Sequence, residues 1–66
     1  MNWSEFVENW NEMKGRLKEH WGRLTDNDLI IIAGKRSHLV GKLQERYGMT
    51  DEEAETQLEH FLKHPF

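Results

Sequence analysis

The sequence has no cysteine, a single proline among its 66 residues and no long hydrophobic run. Without cysteine the chain can form no disulfide and has no thiolate nucleophile, a composition that fits a reducing compartment. Its longest apolar run, residues 29–33, is far shorter than the ~20 residues needed to cross a bilayer. The first residues also lack the basic and apolar regions of a signal peptide, so we expect a cytoplasmic protein without a membrane span.

The chain also lacks an excess of positive charge, since its formal net charge is −3 at pH 7. This balance argues against a general nucleic-acid binder and predicts weak binding at most. The charges are unevenly placed, however. Residues 1–13 hold three acids and no base, residues 14–46 hold eight bases and four acids, and residues 49–66 hold five acids and one base. A basic middle therefore lies between two acidic ends.

The length predicts one small domain, residues 1–66, that buries about 60% of the surface its unfolded chain would expose. So short a chain leaves little room for an enclosed pocket of a few hundred Å³. Ser4, Ser37 and the threonines also lack any recognisable nucleophile context. We therefore expect a protein that is not an enzyme and that carries no cofactor.

One sequence pattern occurs twice, at residues 21–29 and 47–54, and reads aromatic, glycine, apolar, threonine, aspartate, then an acid and an apolar residue. Gly22 and Gly48 are expected to take positive φ and to end a helix. The threonine that follows is expected to cap the next helix, with an acid three residues later completing a capping box. These residues are the pairs Thr25 with Asp28 and Thr50 with Glu53.

The two junctions predict three helical segments, at residues 4–21, 26–47 and 51–63, although Asn2 with Glu5 is an alternative cap for the first segment. The segment at 26–47 begins with an isoleucine run that is apolar on all sides and could form a strand. A lone strand would have no partner in this chain, so we favour a short buried helix. Gly34 then divides the segment, which predicts an all-α bundle of four short helices, or three if Gly34 is tolerated within one helix.

Three blocks of the sequence form a specific pattern in order and spacing. The first is Asn9-Trp10-Asn11-Glu12-Met13-Lys14-Gly15-Arg16-Leu17-Lys18-Glu19-His20-Trp21-Gly22-Arg23-Leu24-Thr25-Asp26, the second is Gly34-Lys35-Arg36-Ser37-His38-Leu39-Val40-Gly41-Lys42-Leu43-Gln44-Glu45-Arg46-Tyr47-Gly48, and the third is Glu52-Glu53-Ala54-Glu55. Together they resemble the CsbD-like family of small bacterial stress-response proteins. The resemblance implies a SAM-like arrangement of two packed helical hairpins and a role in general or envelope stress. It implies no enzyme, cofactor or defined binding site.

The sharpest candidate site is a basic stripe formed by Lys35, His38, Lys42 and Arg46, which recur at helical spacing. Such a stripe could bind phosphates by releasing counterions. The alternative is a solvated flank whose aliphatic stems cover the core, and we favour it because the chain is acidic.

The other candidate sites are weaker. His60 and His64 have the i, i+4 spacing of a metal-binding pair, and Glu53 and Glu59 could assist, but no HExxH pattern is present and we expect no metal site. Gly15 and Gly41 could let a partner backbone approach. The sequence thus predicts a non-enzymatic stress-response protein that acts through its surface. The alternatives are a weak nucleic-acid or anionic-surface binder that uses the basic stripe, and a homo-oligomer whose interface is the isoleucine run. The partner is not specified, and a protein partner is possible.

Overall fold

The computed structural model describes residues 2–64 and contains five α-helices and no strand in that range. The helices are α1 (Trp3–Glu8), α2 (Trp10–His20), α3 (Asp26–Ile32), α4 (Arg36–Tyr47) and α5 (Asp51–Lys63). The predicted all-α bundle is confirmed, but it has one helix more than the sequence indicated. The SAM-like arrangement of hairpins stays a prediction.

The extra helix arises because the segment predicted at residues 4–21 is broken at Asn9. Asn9 leaves the helical region at φ −109° and ψ 33°, and its side-chain amide donates a hydrogen bond to the carbonyl of Glu5 at 3.2 Å. Asparagine favours such local bonds over a continuing helix. The alternative start is confirmed, since the Asn2 side chain accepts a hydrogen bond from the Glu5 amide at 2.9 Å.

Both predicted junctions are capping boxes, as their threonine-to-acid spacing indicated. The hydroxyl of Thr25 accepts from the Asp28 amide at 3.1 Å, and the Thr50 hydroxyl accepts from the Glu53 amide at the same distance. Gly48 takes the expected left-handed conformation, with φ 65°. The expected positive φ of Gly22 was wrong: α2 ends at His20, its C-cap Trp21 has φ −118°, and Gly22 does not take positive φ.

The isoleucine run is helical, as we favoured, and residues 26–47 form two helices. The chain turns at Ala33 and Gly34, which both have positive φ. The expectation that the run is buried on all sides was wrong: Ile32 is fully buried, but Ile30 and Ile31 are 71% and 46% exposed. Only one face of this short helix reaches the core, so two of its three isoleucines remain at the surface.

All five helices contribute to one core. α4 lies at its centre and packs against α3 and α5, while α1 packs against α2. The first helix is also held over the α3–α4 turn, where the Trp3 indole donates to the Gly34 carbonyl at 3.0 Å and Val7 approaches the same glycine. The buried side chains are Phe6, Met13, Leu17, Trp21, Leu24, Leu29, Ile32, Leu39, Val40, Leu43, Ala54, Leu58, Phe61 and Leu62.

The longest helix, α5, has 13 residues. Across residues 2–64, none of the helices has both the length and the apolar character that a membrane crossing requires.

Removing the α5 cap should lower the free energy of unfolding by about 1 kcal/mol, a typical loss for a capping threonine. The test is Thr50→Ala measured by urea denaturation. Thr56→Ala, an exposed change within the same helix, is the matched control and should stay within about 0.5 kcal/mol of the wild type. Hydrogen exchange showing a single continuous helix through residues 44–56 would contradict the capped junction.

Candidate functional site

Beneath the basic stripe lies Asp28, the one charged residue among residues 2–64 that is fully buried. It is placed by the capping box of α3, where its Oδ2 accepts a hydrogen bond from the Thr25 amide at 3.0 Å. This position turns the carboxylate inward, beside the apolar face that α3 presents to α4. A buried carboxylate is costly unless it is paired, so its partners decide what this site does.

Two cations of α4 meet this carboxylate. The Arg46 guanidinium binds it in bidentate fashion, with Nε 2.9 Å from Oδ2 and Nη2 2.8 Å from Oδ1. The Lys42 ammonium lies 3.7 Å from Oδ1 and also contacts Glu45 at 3.2 Å, and its side chain is only 16% exposed. Bidentate arginine–carboxylate pairs are among the strongest hydrogen-bonded ion pairs. This cluster therefore locks α4 onto the start of α3.

The electrostatics agree with this geometry. The hydrogen bond from Arg46 holds the pKa of Asp28 well below its ordinary value, against the opposing effect of burial. The same pair raises the pKa of Arg46. In the second capping box, hydrogen bonds with Thr50 lower the pKa of the Glu53 carboxyl. Both carboxylates stay charged at neutral pH because the folded structure uses the charged form.

The structure therefore divides the predicted stripe into two parts. Lys42 and Arg46 turn onto Asp28, so their charge is largely neutralised within the protein. Lys35 lies before the helix, as the N-cap of α4, and is exposed. The exposed His38 ring places Nδ1 3.2 Å from the Ile31 carbonyl oxygen. Phosphate binding by all four residues together stays a prediction, but only Lys35 and His38 face solvent without a carboxylate partner among residues 2–64.

The histidine pair lies at the end of α5, with the rings of His60 and His64 4.9 Å apart. Within the described part of the chain, no three histidine, cysteine, aspartate or glutamate side chains are grouped closely enough to hold a metal ion. Glu53, suggested as an assisting ligand, is occupied by the α5 capping box.

Gly15 and Gly41 both lie within helices, and a methyl group added to either would meet no atom within 4 Å. Neither glycine is needed for close packing inside this protein. Gly15 lines an open hollow of about 300 Å³ between α2 and α3, together with Lys14, Lys18, Asp26, Leu29 and Ile30.

The link between Asp28 and Arg46 was missed by reasoning from the sequence. The capping box explained Asp28 completely, and Arg46 was assigned to the basic stripe. A signal was present, because Asp28 shares its helical face with the buried Leu29 and Ile32. A charge on an inward face requires a cation from a neighbouring helix.

Removing the arginine of this pair should destabilise the fold more than neutralising the aspartate. Arg46→Met leaves a buried carboxylate with only Lys42 nearby and should cost about 3 kcal/mol, at the low end for a broken buried pair. Asp28→Asn keeps an oxygen for the cap and frees a half-exposed arginine, so we expect about 1–2 kcal/mol. Urea denaturation tests this order on the two single variants and the double variant, with the exposed Lys63→Met as control. Strictly additive losses would contradict the pairing.

The stability of the protein should fall in acid. Asp28 and Glu53 have folded-state pKa values below their ordinary values of 3.8 and 4.5. Their contribution is thus complete above the unfolded values and is lost as protons bind below them, between about pH 5 and pH 2. Thermal denaturation across this range should show a falling midpoint, with a shallower fall in Glu53→Gln. A midpoint that stays constant down to pH 3 would contradict these shifts.

Nucleic-acid binding should be weak, with a Kd above about 1 μM at physiological salt. A plot of log affinity against log salt concentration has a slope that reports the number of phosphate contacts. Because Lys35 is exposed and Lys42 contacts Asp28, Lys35→Gln should reduce the size of this slope by up to about one, and Lys42→Gln by less. Fluorescence titration of labelled DNA at several salt concentrations measures both slopes. Tighter binding that is abolished by the two replacements together would restore the stripe as a phosphate site.

Comparison with known proteins identifies the family. The family model described as CsbD-like matches residues 5–56 of this chain. A UPF0337 protein of Pectobacterium atrosepticum is 50% identical over 64 residues, which is 97% of this chain and 93% of that protein. The UPF0337 protein YjbJ of an Escherichia coli strain is 51% identical over 63 residues, covering 96% of this chain and 91% of that protein. No solved structure matches significantly. The chain belongs to the CsbD-like family.

Proposed function

We propose that this chain is a non-enzymatic bacterial stress-response protein that acts through its surface. The observation that supports the proposal is that the carboxylates with shifted pKa values all have partners within the fold. Strongly shifted pKa values are common at catalytic sites, and structural ion pairs also produce them. Here the most shifted carboxyl, Asp28, is occupied by the Thr25 amide, by Arg46 and by Lys42. The chemistry that would suggest an active site therefore serves the fold.

The other shifted carboxyls support the same conclusion. Glu53 completes the α5 capping box, and Asp26 forms an exposed ion pair with Lys18 at 2.7 Å, which lowers its pKa. Two surface hollows are open: the one between α2 and α3, and one of about 310 Å³ at the exposed start of α5, lined by Thr50, Glu52, Glu53, Thr56 and Gln57. Such hollows do not exclude the water that catalysis commonly has to exclude.

The stress-response part of the proposal rests on family membership, and the cytoplasmic location rests on the sequence features described above. A surface mode of action fits a bundle whose core is filled by apolar side chains from all five helices. The exposed side chains then remain as the groups that can recognise something else.

A deletion strain of the source bacterium tests the proposal. Loss of the gene should reduce survival under heat, osmotic or envelope stress, and the wild-type gene on a plasmid should restore it. Single conservative changes at exposed titratable positions, such as His20→Gln, His38→Gln or Glu52→Gln, should restore survival fully. Arg46→Met, which weakens the fold, should restore it poorly because less folded protein accumulates.

Two results would contradict the proposal. Survival of the deletion strain could equal that of the parent under every stress applied, which would remove the stress-response role. Alternatively, one conservative change could abolish rescue while the purified variant keeps the wild-type melting temperature. Such an all-or-none dependence on a single proton-transfer group is typical of an enzyme.

A further inference from the structure

The outer face of α3 carries two isoleucines that the fold does not use. Ile30 is 71% exposed and Ile31 is 46% exposed, and they are the large apolar side chains of residues 2–64 that stand out as exposed. The inward face of the same helix is formed by other residues, Asp28, Leu29 and Ile32. We call Ile30 and Ile31 the isoleucine patch.

Helix formation does not explain the isoleucine patch. At exposed helical positions isoleucine is a poorer helix former than alanine, glutamate, lysine or glutamine. Its exposure also leaves apolar surface in water, which is unfavourable. Neither helix formation nor core packing thus explains isoleucine at positions 30 and 31. A partner that covers both side chains would explain their presence.

The surroundings of the isoleucine patch are basic. On one side, Lys14 and Lys18 of α2 line the hollow that Ile30 borders. Lys35, the exposed N-cap of α4, follows the short turn after α3, where its amide donates a hydrogen bond to the Ile32 carbonyl at 2.8 Å. Asp26 lines the same hollow as Lys14 and is paired with Lys18. A chain with a net charge of −3 therefore presents a positive face around its exposed isoleucines.

A second copy of the chain is a poor occupant for this surface. A two-fold contact brings the same patch of both copies together, so the lysines of one copy would oppose those of the other. A stable interface also needs ~800 Å² from each partner, which is about a fifth of the 4196 Å² that this small protein exposes. Two isoleucines supply only a minor share of that area.

An anionic lipid surface fits both features. It accepts a few protruding apolar side chains at the boundary between headgroups and acyl chains, and its phosphates attract lysines that stand beside them. It needs no large complementary interface. The helix α3 lies at the surface with both isoleucines on its outer side, so they can enter this boundary together.

We propose that the isoleucine patch docks the protein on anionic lipid surfaces, with Ile30 and Ile31 entering the interface and Lys14 and Lys35 meeting lipid phosphates. The inference rests on the proposed function, because it names the surface through which the protein acts. Attachment is reversible, since two apolar side chains and two lysines give far less attraction than a spanning helix. The acidic ends of the chain limit it further by repelling the same lipids.

Vesicle cosedimentation tests the docking. Purified full-length protein is mixed at low salt with vesicles of phosphatidylcholine alone or of equal parts phosphatidylcholine and phosphatidylglycerol. We expect partitioning onto the anionic vesicles only. The double change Ile30→Gln with Ile31→Gln should lower the partition coefficient about tenfold, because the apolar contribution is lost. Lys35→Gln should lower it about fivefold.

Controls separate docking from non-specific charge and from unfolding. Lys63→Gln removes the same charge from the far end of α5 and should leave partitioning close to that of the wild type. Circular dichroism should show the wild-type helix content and melting temperature for the isoleucine double variant, since both positions are exposed. A short soluble phosphate, glycerol phosphate, should not compete at millimolar concentration if a lipid surface rather than a free phosphate is the ligand.

Three outcomes would overturn the inference. The wild type could fail to bind anionic vesicles at low salt, or the isoleucine double variant could bind them as strongly as the wild type. Alternatively, Lys63→Gln and Lys35→Gln could lower the partition coefficient equally. Light scattering could instead show that the wild type forms oligomers and the isoleucine double variant does not. If the wild type also failed to bind vesicles, the patch would be assigned to self-association. The vesicle assay is independent of the deletion strain. Failure to bind vesicles with intact stress rescue overturns only the docking, whereas an unaffected deletion strain overturns the proposed function.

Discussion

The ion pair between Asp28 and Arg46 connects the local structure of one helix start with the packing of two helices. Asp28 belongs to a local motif, the capping box that starts α3. The same carboxylate receives two hydrogen bonds from α4, eighteen residues further along the chain. A local helix start thus fixes the position of the central helix, against which α5 also packs. With so few residues, one such polar anchor orients a large part of the bundle.

This anchor also determines where the chain can show positive charge. Lys42 and Arg46 lie in the basic middle of the sequence, but the buried carboxylate draws both inward. Arg36 is likewise paired, with Glu55 of α5. The cations left around the outer surface of α3 are those of α2 and the start of α4. The charge pattern of the sequence therefore differs from the charge pattern of the surface, because packing neutralises one part of it selectively.

The features predicted correctly from the sequence are those that depend on neighbouring residues. The two capping boxes follow from threonine and an acid three residues apart, and the turn at Gly34 follows from its freedom at positive φ. The features that were missed depend on distant parts of the chain. Asn9 interrupts the first segment through a local bond to the Glu5 carbonyl, but the position of α1 depends on the bond from Trp3 to the Gly34 carbonyl, a contact between residues 31 positions apart. No local pattern contains that information, and the pairing of Asp28 with Arg46 has the same non-local origin.

The isoleucine run also shows that local sequence does not determine which residues are buried. Three consecutive isoleucines look equivalent in the sequence, and their number suggested burial on all sides. A seven-residue helix against a small core can bury only one face, which here takes Ile32 and leaves Ile30 and Ile31 outside. Because a helix turns by about 100° per residue, three consecutive positions span about 200° and cannot all face the core. Ile30 and Ile31, which we expected to be buried, therefore form the apolar surface that the core does not cover. The neighbouring lysines indicate that a partner of this surface carries negative charge.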